Sequence, residues 1–221
     1  MLDFETEAGN WVLQYSPQNS TTSFITPDET LRYNLVPRGI VFVTGDILSM
    51  GAGVVDPSGL SLLPSQEKIP CLMSGISLTI VTPKTLNITS HLIAQGVEWT
   101  DGIPYLKGKS SQLHLFAAGR DAQGIEDDAW GEIYFSPGDS DELEIHASLT
   151  AGGSGISFED GEKLLRVYGS LHGRSISSEG TIHLFPSSSP APPLIQGEDQ
   201  PVTALPVLYL THLETVSWED K

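Results

Sequence analysis

Cysteine is almost absent from this 221-residue chain, which carries a single one, Cys71. One cysteine excludes an internal disulfide, and a chain without disulfides suits a reducing compartment. The residues around Cys71 read IPCLM, so the thiol has apolar neighbours and no basic side chain beside it to lower its pKa. We therefore predict a buried, unreactive thiol.

Basic residues are also scarce: 11 Lys and Arg stand against 28 Asp and Glu, which gives a net charge of −17. A surface this negative repels nucleic-acid phosphates and anionic lipid, so neither is an expected partner. No run of 18 apolar residues predicts a membrane span, and the start MLDFETEAGNW has no basic segment followed by an apolar one, as a signal peptide would. These absences predict a cytoplasmic protein.

Several sequence motifs for cofactors, metals and nucleophiles are missing. The chain has no G-x-G-x-x-G opening a helix, no Walker A pattern, no kinase signature and no G-x-S-x-G elbow. The six histidines occur singly, without H-x-H or H-E-x-x-H spacing, and the acidic runs lack EF-hand spacing. We predict that the protein uses no cofactor and no metal.

The chain does contain many glycines and prolines, which typically separate short β-strands. It has 22 Gly and 15 Pro, 39% hydrophobic residues and only 18% charged ones, a mixture that favours many short strands over long helices. From residue 71 onward, strand signals recur every ten to fifteen residues or so, as barrels and sandwiches require. The predicted strands are Ser77–Val81, Ile88–Gln95, Gln112–Ala117, Gly131–Phe135, Leu143–Leu149, Leu164–Leu171 and Gly180–Phe185.

Three regions follow from this pattern. Residues 1–38 are predicted to form an N-terminal arm with one strand, Trp11–Tyr15. Residues 39–186 are predicted to form the β-domain, which opens on the strand GIVFVTGDIL and includes a long loop at 50–70. Residues 187–221 hold a Pro/Ser linker and a last strand, Pro206–Leu213, which either closes the sheet or pairs with a second copy.

The late strands alternate between apolar and mixed positions, so one face can be separated from the other. Leu143, Ile145, Ala147 and Leu149 share an apolar face. The opposite, mixed face gathers Glu132, Tyr134, Glu144, His146, Arg166, Tyr168 and either His172 or His183. Two interpretations stay open: the mixed face is solvated over an apolar core, or it lines the lumen of a barrel.

The segment ASLTAGGSGISFEDGEKLLRVYGSLHG resembles the glycine-rich turn of the allene oxide cyclase-like and dirigent-like β-barrels. Thr150, Gly152, Gly153, Ser154, Gly155, Phe158 and Gly161 occupy the matching places. The likeness covers about a third of the chain. It departs from the pattern by one extra residue before Phe158, by the long loop at 50–70 and by the tail after Phe185.

The resemblance implies a single antiparallel β-barrel, allene oxide cyclase-like or lipocalin-like, and the strand spacing leaves a β-sandwich open as the alternative. It further implies a cofactor-independent cyclase or isomerase that holds a small hydrophobic, natural-product-like molecule in near-attack geometry. The expected donors and bases are polar members of the mixed face. The catalytic candidates are Tyr134, Arg166, Tyr168, His146, Glu144 and Glu132, and the substrate-binding candidates are Trp99, Trp130, Phe116 and His183.

Two other functions remain open from the sequence. One is a non-enzymatic ligand- or glycan-binding β-sandwich that uses loops near Trp99 and Trp130. The other is a structural assembly subunit, such as a homodimer that exchanges the N-terminal arm and Pro206–Leu213 between copies.

Overall fold

The computed structural model of the chain describes residues 1–34, 38–53, 68–109, 111–121, 123–158 and 161–186. Within these ranges the chain forms β-strands and no helix, which confirms the prediction of an all-β protein. No helix able to cross a membrane therefore occurs in them. The predicted linker and the last predicted strand, Pro206–Leu213, lie outside the described residues.

The first four strands form an antiparallel meander, in which each strand pairs with the next. They are β1 (Leu2–Thr6), β2 (Gly9–Ser16), β3 (Thr21–Ile25) and β4 (Thr30–Tyr33). The predicted strand Trp11–Tyr15 lies within β2, and the predicted arm thus contains three further strands.

The remaining strands follow one another in successive turns of the chain. The first turn holds β5 (Arg38–Phe42), β6 (Ile47–Ala52) and β7 (Pro70–Leu72), and the second holds β8 (Ser77–Thr82), β9 (Leu86–Ile88) and β10 (Ile93–Ala94). A hairpin then inserts β11 (Val97–Thr100) and β12 (Ile103–Leu106). The third turn holds β13 (Gln112–Ala117), β14 (Glu132–Phe135) and β15 (Glu142–Ile145), and the later turns hold β16 (Ser148–Ala151), β17 (Gly155–Phe158), β18 (Leu164–Gly173), β19 (Ile176–Ser178) and β20 (Thr181–Pro186).

Each turn places one strand on each of three faces, and the strands of one face run parallel to one another. Face 1 consists of β5, β8, β13, β16 and the end of β18; face 2 consists of β6, β9, β14, β17 and β19. Face 3 consists of β7, β10, β15, the start of β18 and β20. Because strands of successive turns pair in parallel on faces 1 and 2, and β10 and β15 of face 3 are joined by the parallel bridge between Leu92 and Ile145, the connectivity is that of a parallel β-solenoid.

The predicted antiparallel barrel is not found in the described part of the chain. From β5 onward, strands of successive turns pair in parallel, and β11–β12 is the antiparallel exception. The strand orders of both large sheets are open paths rather than closed rings. The glycine-rich segment after Thr150 is therefore not a hairpin turn, because β16 and β17 lie on different faces.

Columns of aliphatic side chains fill the space between the faces. On face 1, Ile80 lies in register with Leu115, and Leu115 with Leu149; all three are fully buried. On face 2, Phe135 and Phe158 are likewise paired in register and meet edge to face at 6.3 Å between ring centroids. Residues stacked one strand spacing apart bury each other, so each turn contributes to a continuous core.

The meander extends face 2 at its N-terminal edge. β1 pairs antiparallel with β6, and its Leu2 and Phe4 are buried in the main core. Trp11, Leu13 and Phe24 of the next two strands pack against that core. Since a solenoid exposes apolar side chains at an end that lacks a neighbouring turn, these strands act as its N-terminal cap.

Glycines form the corner between faces 1 and 2. Gly119 and Gly131 both have φ of +74°, a left-handed conformation that favours glycine. A Cβ atom added to Gly131 would lie 2.5 Å from the backbone nitrogen of Gly153 and 2.7 Å from that of Gly119. The backbones of two successive turns can approach this closely only because none of the three residues has a side chain.

Candidate functional site

The structure divides the predicted catalytic residues between two faces. Glu144, His146, Arg166 and Tyr168 lie on or beside the outer side of face 3, as predicted from their shared alternation. Glu132 and Tyr134 lie on face 2, because β14 and β15 are separated by a corner of the solenoid. None of these six residues belongs to the hydrophobic core cluster.

The hairpin β11–β12 covers the acidic part of face 3 with Trp99. The indole Nε1–H of Trp99 donates a hydrogen bond of 2.6 Å to Glu144 Oε1. The Trp99 ring also meets Phe185 of β20 edge to face, at 5.1 Å between centroids. The predicted substrate-binding residue Trp99 is thus partly buried and engaged with the protein itself.

Glu144 accepts hydrogen bonds from three directions. Besides the Trp99 bond, Glu144 Oε1 lies 2.8 Å from His146 Nε2, and Lys68 Nζ donates to Glu144 Oε2 at 3.1 Å. Only 5% of the Glu144 side chain is exposed. Such partners are needed because burying an unpaired carboxylate costs roughly several kcal/mol of folding free energy.

Two histidines of this cluster also satisfy backbone amides. The Ala94 N–H donates to His146 Nδ1 at 3.1 Å, so the His146 ring carries its hydrogen on Nε2 and donates it to Glu144. The Glu144 N–H donates to His91 Nδ1 at 2.9 Å. Both rings therefore fix the chain where β10 and β15 lie side by side.

The environment of Glu144 shifts its acidity strongly. Burial alone would raise its pKa, but the hydrogen bonds from His146, Trp99 and Lys68 outweigh burial and lower the pKa from 4.5 to about 2. A carboxylate with this pKa is a weak base at neutral pH. Glu144 therefore serves as a fixed acceptor that ties the hairpin to face 3.

A more exposed layer of charge surrounds this carboxylate. Lys68 Nζ lies 2.6 Å from Glu142 Oε1, and Arg166 reaches the same oxygen at 3.4 Å. The Arg166 guanidinium lies over the Trp99 ring, 5.5 Å from its centroid. Burial alone would lower the pKa of Lys68, but hydrogen bonds to Glu142 and Glu144 raise it, which keeps its charge in place. The cations of face 3 are thus already paired within the protein.

Face 2 carries an open groove of about 330 Å³. Its lining combines two carboxylates, an amide, a phenol and aliphatic side chains: Asp46, Ile47, Leu48, Thr85, Asn87, Glu132 and Tyr134. Asp46 Oδ1 accepts from the Thr85 N–H at 2.9 Å, and Glu132 Oε1 accepts from the Ser157 hydroxyl at 2.6 Å. These bonds hold the carboxylates by one oxygen each.

The groove follows the direction in which the solenoid turns stack. Asn87, Tyr134, Ser157 and Ser177 are register partners on four successive strands of face 2. Neighbouring strands lie about 4.8 Å apart, so this row offers one polar position at each step. Asn87 and Tyr134 of this row line the groove, whereas Ser157 is buried and its hydroxyl donates to Glu132.

The other predicted binding residues lie apart from one another. Trp130 is half-buried at the corner before β14, where the Lys84 ammonium lies 6.0 Å from its ring. Lys84 in turn lies 3.7 Å from Asp46, which lines the groove. Phe116 lies on the outer side of face 1, and His183 is exposed on β20 in register with Arg166.

Several residues of these sites were not predicted from sequence. Lys68, Asp46 and Asn87 lie in or beside loops and short strands, and their spacing carried no signal for a site.

The prediction of a buried Cys71 is confirmed, and burial raises the pKa of its thiol to about 11. Among the described residues, no cluster of three or more His, Cys, Asp or Glu is placed to hold a metal.

Comparison with known proteins assigns no family to the chain. No protein-family model, no curated protein and no solved structure matches the chain significantly. The resemblance to allene oxide cyclase-like barrels accordingly stays a prediction, and function has to be argued from the sites themselves.

Proposed function

We propose that the protein is a non-enzymatic binding module for neutral glycans, which it holds in the face 2 groove. The observation that carries this proposal is the composition of that groove, where Asp46, Glu132 and Asn87 surround Tyr134. Sugar hydroxyls pair well with carboxylate oxygens, which accept in fixed directions. The Asn87 amide is held in place by its own bonds, because its nitrogen donates to the Leu48 carbonyl and its oxygen accepts from the Ser136 hydroxyl. The C–H face of a pyranose packs on an aromatic ring, which Tyr134 supplies.

The repeat of the groove favours a linear polymer over a single sugar. Asn87 and Tyr134 line the groove on adjacent strands, whose spacing of about 4.8 Å is close to the length of one hexose residue in an extended chain. A polysaccharide lying across these strands of face 2 would therefore meet one of these two side chains at each of the two turns. Trp130, which lies beyond Lys84 and Asp46, extends this surface with a second aromatic ring.

Charge selects the class of glycan. The groove contains two carboxylates, and the nearby Lys84 is engaged with one of them. With a net charge of −17, the protein repels polyanions such as uronic-acid or sulfated polymers. Polymers of neutral hexoses or pentoses are therefore the class of ligand that fits the groove.

Affinity electrophoresis through gels that contain neutral polysaccharides tests this proposal. We expect a β-glucan, xylan, mannan or starch gel to retard the protein. We expect Tyr134→Ala to weaken the interaction by a factor of about 2 to 10, since a stacked aromatic ring contributes about 0.5 to 1.5 kcal/mol. Glu132→Gln should weaken it as well, while keeping the shape of the side chain.

Tyr33→Ala is the matched control, because Tyr33 is an exposed tyrosine on β4, at the far edge of the sheet from the groove. Equal retardation of the two tyrosine variants would contradict the assignment of the groove. Migration of the native protein that no neutral polysaccharide alters would contradict the function itself.

The cyclase hypothesis stays a prediction that no observation favours over the glycan proposal. It requires an apolar lumen, whereas the space between the three faces is filled by buried side chains such as Ile80, Leu115 and Leu149. Native mass spectrometry of the purified protein would support the cyclase if a lipophilic molecule remained bound.

A further inference from the structure

The last turn of the solenoid exposes side chains that belong to the apolar core by their position. In a parallel ladder, register partners point to the same side of the sheet, so each inward residue of one turn stacks on an inward residue of the next. Ile156 is buried, yet its partner Ile176 in the last turn is 51% exposed. Val167 is likewise buried, and its partner Leu184 is 46% exposed. The core is therefore uncovered at the C-terminal end of the solenoid.

Two further inward residues of this turn are only partly buried. Leu171 is the register partner of fully buried Leu149, and Ile182 is the partner of fully buried Leu165. Both pack against the core cluster, on the side of the preceding turn. All three faces thus contribute apolar residues to this end, which we call the open end: Leu171, Ile176, Ile182 and Leu184.

The backbone at the open end also has free edges within the described part of the chain. There β19 pairs with β17, and β20 with β18, and neither has a strand on its other side. The opposite end of the solenoid is different, because β1 pairs with β6 and buries Leu2 and Phe4. Since a solenoid needs a cover at both ends to stay soluble, a second cap is expected.

The chain itself supplies the candidate for this cap. β20 ends at Pro186 in the last turn, and the sequence continues from there to PVLYLTHL, residues 206–213, which are predicted to form a strand. About twenty connecting residues reach up to roughly 60 Å when extended, whereas a six-residue strand is only about 20 Å long. The connection can therefore bring this segment over the open end, and it keeps the segment at a high local concentration there.

The composition of residues 206–213 suits an apolar surface. The segment has no charged residue, although Glu198 and Asp199 precede it and Glu214 follows it. In a strand, Leu208 and Leu210 share one side. An uncharged apolar strand without a cover is an aggregation hazard, so the segment needs a surface such as the open end.

Charge favours this segment over a second copy of the chain as the cover. Two molecules that each carry a net charge of −17 repel each other as they approach. A segment of the same chain is already attached, so its docking requires no encounter between two such molecules.

We propose that residues 206–213 cover the C-terminal end of the core of their own chain, with Leu208 and Leu210 against the open end. The segment then does at this end what β1 does at the other. The proposal goes beyond glycan binding and is independent of it, because the groove is lined by residues of earlier turns, from Asp46 to Tyr134.

Thiol labelling of the full chain tests the proposal. The one native cysteine, Cys71, is buried and has a thiol pKa raised to about 11, so Leu184→Cys introduces the reactive thiol. We expect Ellman's reagent to label Leu184→Cys slowly. Adding Leu208→Glu should accelerate that labelling by a factor of about 10 or more, because a carboxylate disfavours docking on an apolar surface and the open end is then uncovered more of the time.

Ile125→Cys is the matched control for labelling, because Ile125 is 59% exposed in a loop outside the last turn. Its thiol should react fast, and Leu208→Glu should not change its rate. Val216→Glu adds the same charge outside residues 206–213 and should leave the labelling of Leu184→Cys slow. Circular dichroism confirms that each variant is folded before rates are compared.

Labelling of Leu184→Cys at the rate of Ile125→Cys would overturn the proposal. So would slow labelling that neither Leu208→Glu nor Leu210→Glu accelerates. Protection that increases with protein concentration between about 1 and 100 µM would also overturn it, because a second copy would then provide the cover. None of these results would affect retardation by polysaccharide gels, which reports on the groove alone.

Discussion

Gly153→Ala is expected to destabilise this chain severely. A Cβ atom at Gly153 would overlap the carbonyl oxygen of Trp130 and lie 3.1 Å from the Cα of Gly131. Both contacts are with backbone, so no side-chain rotamer can relieve them. The corner between faces 1 and 2 would have to open, and with it the hydrogen bond from the Gly153 N–H to the Gly131 carbonyl.

The expected loss exceeds about 4 kcal/mol, the range reached when a substitution forces closely packed backbone segments apart. Because small domains are stable by only about 5 to 15 kcal/mol, a loss of this size removes most of the stability of a marginal domain, and a loss above about 5 kcal/mol would unfold it. Far-ultraviolet circular dichroism and urea unfolding of the purified variant measure this directly.

Gly45→Ala is the matched control. Gly45 lies in the equivalent corner three turns earlier, between β5 and β6, yet a Cβ atom there meets nothing within 4 Å and its φ is not in the left-handed region. We expect this variant to unfold at the same urea concentration or a slightly higher one, since alanine restricts the unfolded chain. Similar stabilities for the two variants would show that the corner is not as tight as described.

The positions of many strands could be predicted from alternation alone, because inward and outward residues alternate in any strand. The prediction Gln112–Ala117 coincides with β13. The direction of pairing could not be predicted, since a parallel strand with one buried face has the same period of two as an antiparallel one. The glycine-rich segment after Thr150 could not be assigned to a corner from the sequence, because glycines occur in solenoid corners as well as in tight turns.

The strand ends at the corners could not be predicted from the alternation either. The predicted strand Leu143–Leu149 is two strands, β15 and β16, which lie on different faces. The apolar positions Leu143, Ile145, Ala147 and Leu149 alternate without interruption, because the inward side of one face continues into the inward side of the next. Periodicity therefore predicted the core correctly and missed the bend within it.

The same geometry explains what could be predicted of the sites. Glu144, Arg166 and His183 are register partners on adjacent strands, so their grouping followed from alternation in consecutive segments. Tyr134 was grouped with them although it lies on face 2. The roles of Trp99 and Lys68 depend on segments that reach face 3 from outside the repeating turns, and a repeat pattern contains no information about such contacts.

Glu144→Gln is expected to destabilise the protein and to change how its stability depends on pH. The carboxylate accepts hydrogen bonds from Trp99, His146 and Lys68. The NH2 group of a glutamine cannot accept a hydrogen bond, so at least one of these three donors would lose its partner. The pKa depression to about 2 corresponds to about 3 kcal/mol at neutral pH. Since Lys68 is half exposed and solvent screens its side of the cluster, we expect a loss of about 2 kcal/mol.

The pH dependence follows from the direction of the pKa shift. Glu144 has a lower pKa in the folded chain than its ordinary 4.5, so its contribution is complete above about pH 4.5 and disappears as the pH falls toward 2. The free energy of unfolding of the native protein should therefore fall across that interval more steeply than that of Glu144→Gln. The two proteins should become nearly equal in stability at about pH 2.

Glu98→Gln separates this effect from the general loss of negative charge. Glu98 belongs to the same hairpin and pairs with Tyr105 and Lys107, but it is exposed to solvent. Urea midpoints measured at pH 7, 4 and 2.5 should be unchanged by Glu98→Gln at every pH, apart from experimental error. If both variants shifted the midpoint equally, the stabilisation would come from overall charge and not from the buried carboxylate that holds Trp99 over face 3.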